Sequence, residues 1–254
     1  MSEGQRTIKA VERAAGLLDA LEADGPMGVS DLADQVGVSK GTTHTYLSTL
    51  ENERLVASTA GEYRLSLQYL GLAERVRERT EIYDLAKTEV DKLAESTGER
   101  AQFAMLENGM VANVYRTRGE DAIRTTITVG QYDYPHYIAV GKAMLAHLPA
   151  ERLETLIEEH GLPGRTERTI TDPERLREHL PAVRERGYAV DDEERARGVR
   201  CVGAPILDDD GNVLGGISVS GPAQRMTDDR IGAELEDRLL RSANVIEVNA
   251  ELSG

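Results

Sequence analysis

The 254-residue chain has a single cysteine, no tryptophan, one phenylalanine, and five lysines beside 25 arginines. One cysteine, Cys201, excludes an intramolecular disulfide and a structural zinc site built from cysteines. No apolar run is long enough to span a bilayer, and the opening MSEGQRTIK lacks the apolar block of a signal peptide, so a cytoplasmic protein with no membrane partner is expected. Basic residues are also outnumbered, 30 against 45 acidic ones, for a net charge of −15. Such an acid-rich, lysine-poor balance suits a halophilic protein kept soluble in a very salty cytosol, where charges are screened within ~3 Å at 1 M salt; an ordinary acidic protein is the alternative. What the chain does have is aliphatic residues, enough at 40% hydrophobic to build a core for one large domain or two smaller ones.

The first third reads as three helices and a hairpin. TIKAVERAAGLLDALEADG repeats Ile8, Val11, Ala15, Leu18 and Leu21 at helical spacing and stops at Gly25-Pro26. SDLADQVG follows as a short helix with Ser30 as its expected cap and Leu32, Ala33 and Val36 as its buried face. Gly37 makes a tight turn, and Ser39 offers an N-cap hydroxyl to a third helix, which completes a helix-turn-helix. RLVAS and EYRLS around Thr59-Ala60-Gly61 then read as a small hairpin, or wing.

The third helix carries the first functional signal. In VSKGTTHTYLSTL, Thr43, Leu47 and Leu50 share one face, while Lys40, Gly41, Thr42, His44, Thr45 and Ser48 share the other. A solvated helix face is usually studded with Glu, Lys and Arg; this one is short and nearly uncharged. In a helix-turn-helix the second helix enters the DNA major groove, and small hydroxyl or imidazole side chains let its backbone approach the base edges. Ser39, Lys40, Gly41, Thr42, His44, Thr45 and Ser48, with Arg64 on the wing, are therefore the expected contacts to double-stranded DNA. A three-helix module that binds protein is the alternative. Electrostatics opposes the DNA reading, because residues 1–66 carry ten acidic and six basic side chains, a net −4. That conflict softens in molar salt, where counterion release supplies little affinity and base contacts must supply more.

Residues 67–98 are charged and helical, with Leu72 and Val76, then Ile82, Leu85, Ala86, Val90 and Leu93, along one stripe. The stripe can pack on the next domain or on a second chain, as a protein reading a two-fold DNA site requires. From Ala101 the pattern turns to strands. AQFAMLE and MVANVYR flank the hairpin turn Asn108-Gly109, and IRTTITV reads as a third strand. Helices are expected in VGKAMLAHL, in PAERLETLIEEHG and in DPERLREHLPAVRERG, the last opening on Pro173 and kinked at Pro181. Strands return in GYAVDD, RCVGAPILD and VLGGISVSG before a terminal helix from Asp228. Strands joined by hairpins, with helices grouped between them, predict an α+β domain around a largely antiparallel sheet.

Over essentially its whole length the sequence resembles the IclR family of transcriptional regulators. The resemblance rests on the winged helix, on HYIAVGKAMLAHLP (136–149), on TITDPERLREHLPAVRERGYAVDDEE (169–194) and on GVRCVGAPILDDDGNVLGGISVSGP (198–222), together and in family order. It implies a winged helix-turn-helix DNA-binding domain over 1–67, a linker helix over 68–82 and a GAF-like effector-binding domain over 83–254. It further implies a homodimer or homotetramer, no catalytic activity, no cofactor and no metal. The effector it implies is a small organic or sugar acid held by Ala139, Val140, Gly141, Asp191, Cys201, Ser218 and Ser220. Two positions depart from the family pattern: Ile138 stands where Thr or Ser is usual, and Thr45 where an Arg is frequent.

Residue chemistry leaves other roles open. Cys201 can be a small core residue. Ser218 and Ser220 lie on one strand face, so both line a cavity or both are solvated. A thiol hydrolase with Cys201 as nucleophile, His136 as base and Asp191 as its orienter is the enzymatic alternative, although no nucleophile-elbow glycine pattern surrounds Cys201. A ligand-independent DNA-packaging protein is the third.

Overall fold

A computed structural model describes residues 7–122 and 128–253 of the chain. It divides into two units, Met1–Thr80 and Glu81–Gly254.

In the first unit, α1 (Lys9–Asp24), α2 (Val29–Val36) and α3 (Lys40–Asn52) close a core around Leu17, Leu21, Leu32, Leu47 and Leu50. The buried face of α1 is Leu17, Ala20 and Leu21, which corrects the stripe expected from Ile8. Ile8 and Val11 are 68% and 63% exposed, because no described residue of this unit covers the first turns of the helix. A second correction concerns α2. Gly28 belongs to a two-residue strand, β1 (Met27–Gly28), whose extended backbone occupies the N-cap position and leaves Ser30 inside the first turn without a capping bond.

The turn into α3 follows from two residues. Gly37 adopts φ +71°, a left-handed conformation costly for a residue with a Cβ, and its N–H donates to Ala33 O at 3.0 Å. Ser39 Oγ accepts from Thr42 N at 3.2 Å and so satisfies one open donor of the next helix. The wing is β2 (Val56–Thr59) and β3 (Glu62–Leu65), with β3 central in a three-stranded antiparallel sheet. Thr59 pairs with Glu62, so the loop is the two residues Ala60-Gly61, both at positive φ, rather than three. The charged segment that follows forms two helices: α4 (Gln68–Glu78) buries no residue, and α5 (Tyr83–Thr97) buries Ala86, Val90, Leu93 and Ala94, among others.

The second unit is built on a six-stranded antiparallel sheet of β4 (Arg100–Glu107), β5 (Met110–Arg118), β6 (Tyr132–Asp133), β7 (Ala189–Asp192), β8 (Val199–Leu207) and β9 (Val213–Pro222), in the order β6-β5-β4-β9-β8-β7. The third strand expected in IRTTITV falls largely on residues 123–127, outside the described residues. Because side chains alternate along a strand, one face carries Ala101, Phe103, Val202, Ala204, Ile217 and Val219, all fully buried in one cluster with α5 and with α10 (Glu236–Ser253). The opposite face receives α6 (Ala139–Leu145), backed by α7 (Ala150–His160) and α8 (Pro173–Arg186) through Leu156, Leu176, Leu180 and Val183. Asp172 Oδ1 caps α8 by accepting from Glu174 N at 2.7 Å and Arg175 N at 3.1 Å, and the helix runs on through Pro181. α9 (Asp228–Arg230) leads through a π-helical turn, Ile231–Leu235, into α10.

Candidate functional site

Two surfaces gather the residues singled out by sequence. On α3, Thr43, Leu47 and Leu50 are buried, while Lys40, Gly41, His44 and Thr45 are exposed and Thr42 and Ser48 half-buried. The short side chains are tied locally: Thr45 Oγ1 donates to Gly41 O at 3.1 Å, and Ser48 Oγ lies 3.5 Å from His44 Nδ1. They stay close to the helix, and the exposed face is flat enough for a groove floor to come near its backbone. The wing is fastened to this helix by Ser58 Oγ donating to Glu51 Oε1 at 2.7 Å. Arg64, on β3, is half-buried and donates from Nη1 to Leu65 O at 3.2 Å.

The second surface is the polar face of the large sheet. Residues paired directly across antiparallel strands point to the same side. Asp191 pairs with Cys201, Cys201 with Ser220, Ser220 with Arg100 and Arg100 with Arg118, a row crossing five strands. One pleat along, Gly203, Ser218, Gln102 and Arg116 form the next row. Ser218 and Ser220 are 2% and 8% exposed, so both sit inside the unit. α6 lies over the far end of this face. A Cβ on Gly203 would come within 2.5 Å of Val140 N, so only glycine admits the first turn of α6 here. Ala139, Val140 and Gly141 form that turn, and Ile138 supplies no capping side chain to its N–H groups. Ile138 itself packs with Ala104, Val111, Val140 and Met144.

Charge is concentrated where β7 leaves the sheet. Asp191 Oδ1 accepts from Glu194 N at 2.7 Å and Arg195 N at 3.3 Å, while its Oδ2 is buried without a partner among the described residues. Burial, helped by the neighbouring Glu194 carboxylate, pushes the Asp191 pKa up to about 7. Lys142, fully buried on α6, donates to Glu194 Oε1 and pins the helix to this loop. Arg195 reaches back to Asp133 Oδ2, 3.1 Å from Nη2, and so links the β7 end of the sheet to β6 at the other edge. The sheet therefore curls around its polar face, and the loop after β7 straps across it. Burial also pulls His179, on α8, down to about 4, with Lys142 and Arg186 adding to the shift.

The hydrolase constellation does not assemble. His136 Nε2 is engaged with Pro163 O at 3.1 Å, and its Nδ1 is buried with no partner among the described residues, so it meets neither Cys201 nor Asp191. Burial and the Asp191 carboxylate raise the Cys201 pKa well above that of a free thiol, the reverse of what a nucleophile needs. Sequence reasoning missed Arg100, Gln102 and Arg116. Their strands alternate clearly, but which residues face Ser218 and Ser220 depends on a register between segments more than 100 residues apart.

Comparisons with known proteins agree with this architecture. Residues 10–60 match the family described as the IclR helix-turn-helix domain, and residues 74–248 match the bacterial transcriptional regulator IclR C-terminal domain. A probable HTH-type transcriptional regulator ArcR of Halobacterium salinarum is 33% identical, covering 97% of this chain and 95% of its own. The crystal structure of Thermotoga maritima IclR superposes with a TM-score of 0.79 at 28% identity, covering 95% of this chain and 97% of that one. An IclR homologue of Microbacterium hydrocarbonoxydans, solved with 4-hydroxybenzoate, shares the fold with a TM-score of 0.81 at 22% identity, over 96% of this chain and 99% of its own.

Proposed function

The chain belongs to the IclR family of transcriptional regulators, and from that premise we propose that it reads a two-fold DNA site through α3 and the β2–β3 wing and responds to a small organic or sugar acid held on the polar face of the large sheet. The observation that carries the DNA half is the short, nearly uncharged outer face of α3, held on a buried Thr43-Leu47-Leu50 seam. Ser39, Lys40, Gly41, Thr42, His44, Thr45 and Ser48 meet the major groove, and Arg64 meets the backbone or minor groove. With the DNA-binding segment at 1–67 and a linker helix at 68–82, residues 83–254 receive the effector. The protein works in the cytoplasm, where its operator is, at high salt.

A second copy is part of the reading. One recognition helix reads too few base pairs for useful specificity, and a two-fold pair doubles the site. Ile8 and Val11 on α1, and Leu70, Leu72 and Val76 on and along α4, are exposed apolar side chains of the first unit that a partner copy would cover. A dimer, or a tetramer made of two, follows.

For the effector, Asp191, Cys201 and Ser220 stand in one row, Ser218 in the next, and Ala139, Val140 and Gly141 bring the open amides of α6 to the same face. Hydroxyls and amides suit an oxygen-rich ligand, Asp191 accepts from a ligand hydroxyl, and Ile138 favours one with some carbon skeleton. A homologue of the same fold holds 4-hydroxybenzoate, an acid with both features. Binding acts by favouring one arrangement of paired DNA-binding units, since a ligand shifts an equilibrium only by its differential affinity for the two states. The test is DNA binding in molar KCl with and without a panel of hydroxy, keto and aromatic acids. The expected result is sequence-specific binding whose affinity changes with one class of acid. Binding that ignores sequence would overturn the proposal.

A further inference from the structure

We infer that Lys142 and Glu194 are positioning residues for the effector, a buried pair that sets the gap between α6 and Asp191 in which the acid is held. The inference rests on the effector reading above and adds to it two side chains that govern acid affinity through the elements they join.

Each partner is built into one wall of that gap. Lys142 lies on α6 directly after Gly141, and its backbone N–H donates to Ile138 O at 3.0 Å, so its side chain moves with the helix that carries Val140. Glu194 lies on the loop after β7, and its backbone N–H donates to Asp191 Oδ1 at 2.7 Å. The Lys142 ammonium donates to Glu194 Oε1 and so joins the two walls.

The walls also have separate supports. Thr169 Oγ1 donates to Glu194 O at 2.7 Å and accepts from Thr166 N at 2.9 Å, while Thr166 Oγ1 donates to Glu193 O at 2.8 Å, which fastens the loop to the segment before α8. α6 rests on glycines instead: a Cβ on Gly203 would meet Val140 N at 2.5 Å, and one on Gly216 would meet Val140 Cγ2 at 2.6 Å. Glycine lets the helix come close but gives it no side chain to interlock with. The ion pair then fixes where α6 stands relative to the loop.

Burial points the same way. In a chain with five lysines this one is 0% exposed, and Glu194 is 6% exposed. Desolvating two charges offsets much of their attraction, so uncharged residues of similar size hold such a place with little change in stability. What they lack is a charge-assisted bond of fixed length and direction. The pair also acts on Asp191 through space, Glu194 raising its pKa and Lys142 lowering it, so these effects offset when both charges are removed.

The experiment compares full-length wild type, Lys142→Met and the double variant Lys142→Met/Glu194→Gln by thermal unfolding, as KCl is replaced at constant potassium by potassium gluconate, malate or 4-hydroxybenzoate. General salt effects are common to all three proteins and cancel in the comparison. Without acid, Lys142→Met should unfold about 10 °C below wild type, because Glu194 is left buried without its cation, and the double variant within about 3 °C of wild type. Wild type should show a saturable rise of about 5 °C with at least one acid. The double variant should need roughly tenfold more of that acid for half saturation, a loss of the size seen when a residue that orients a binding group is removed. A pair that served stability alone would regain acid affinity together with stability. Superimposable titrations of wild type and double variant would therefore overturn the inference and leave the effector reading standing. A double variant as unstable as Lys142→Met would also overturn it, by making the pair a support of the fold. No saturable rise of wild type with any of the three acids would remove both the inference and the reading.

Discussion

Replacing Asp191 by Asn should make the protein relatively more stable as pH rises. The carboxyl is 1% exposed, and one oxygen has no partner among the described residues. Desolvation and Glu194 together raise its pKa from 3.8 to about 7, against the opposing pull of Lys142 and of the Glu194 and Arg195 amides. Below pH 4 the folded and unfolded chains both hold the proton, and the group is neutral in the balance. Between pH 4 and 7 the unfolded chain releases it while the fold keeps it, so stability falls; above 7 the loss is complete. About three pKa units at 1.36 kcal/mol each make the loss at most about 4 kcal/mol. Asn has the same shape, keeps the oxygen that accepts from Glu194 N and Arg195 N, and does not titrate. His179, lowered to about 4, works in the opposite direction, adding stability as pH rises from about 4 to 6.5, but it does so in both proteins and cancels in their difference. The assay is denaturant unfolding of both full-length proteins by circular dichroism at pH 4 to 8 in molar KCl. The variant should gain on wild type through pH 4 to 7 and hold that gain above it. A difference that is flat with pH, or that shrinks as pH rises, would refute the burial argument for Asp191.

Replacing Ser218 and Ser220 together by Val should abolish the change in DNA affinity caused by acids, since both hydroxyls leave the polar face and each Val adds a methyl group there; a DNA-binding titration with and without acid checks this, and a normal response would move the pocket elsewhere. Leu47→Ala should lower unfolding free energy by about 2–5 kcal/mol, because Leu47 is fully buried in the first unit's core, and a loss under 1 kcal/mol by denaturant unfolding would contradict that packing. Gly203→Ala should cost about 1–3 kcal/mol and weaken the acid response, because its methyl meets the Val140 backbone at 2.5 Å and must lift α6; an unchanged melting temperature would show that the helix does not press on the strand.

How far the sequence carries depends on how local the determining interactions are. The α2–α3 turn, the Ser39 cap and the two faces of α3 were legible because glycine conformation, capping and a 3.6-residue period all act within a few residues. The Asn108-Gly109 hairpin was legible for the same reason. Ile8 and Val11 were misassigned because periodicity gives the direction of a face and not whether anything covers it. Ser30 lost its expected cap to Gly28, whose extended backbone is set by pairing with Glu62, a contact 34 residues away in sequence. On the polar face, Asp191, Cys201, Ser218 and Ser220 came from the family resemblance. Arg100 and Arg116 could come only from strand register, and the buried pairs Lys142–Glu194 and Arg195–Asp133 only from the curl of the sheet.

Recognition of a specific DNA sequence through α3 is the property on which the proposed function depends. Selection of bound fragments from a random double-stranded DNA library, by the full-length protein in molar KCl, tests it most directly. Wild type should enrich one two-fold-symmetric sequence and Thr45→Glu none, because its carboxylate would face the phosphates and base edges from an exposed position that leaves the fold's circular dichroism unchanged. No enriched sequence with wild type, or the same sequence enriched by Thr45→Glu, would contradict it.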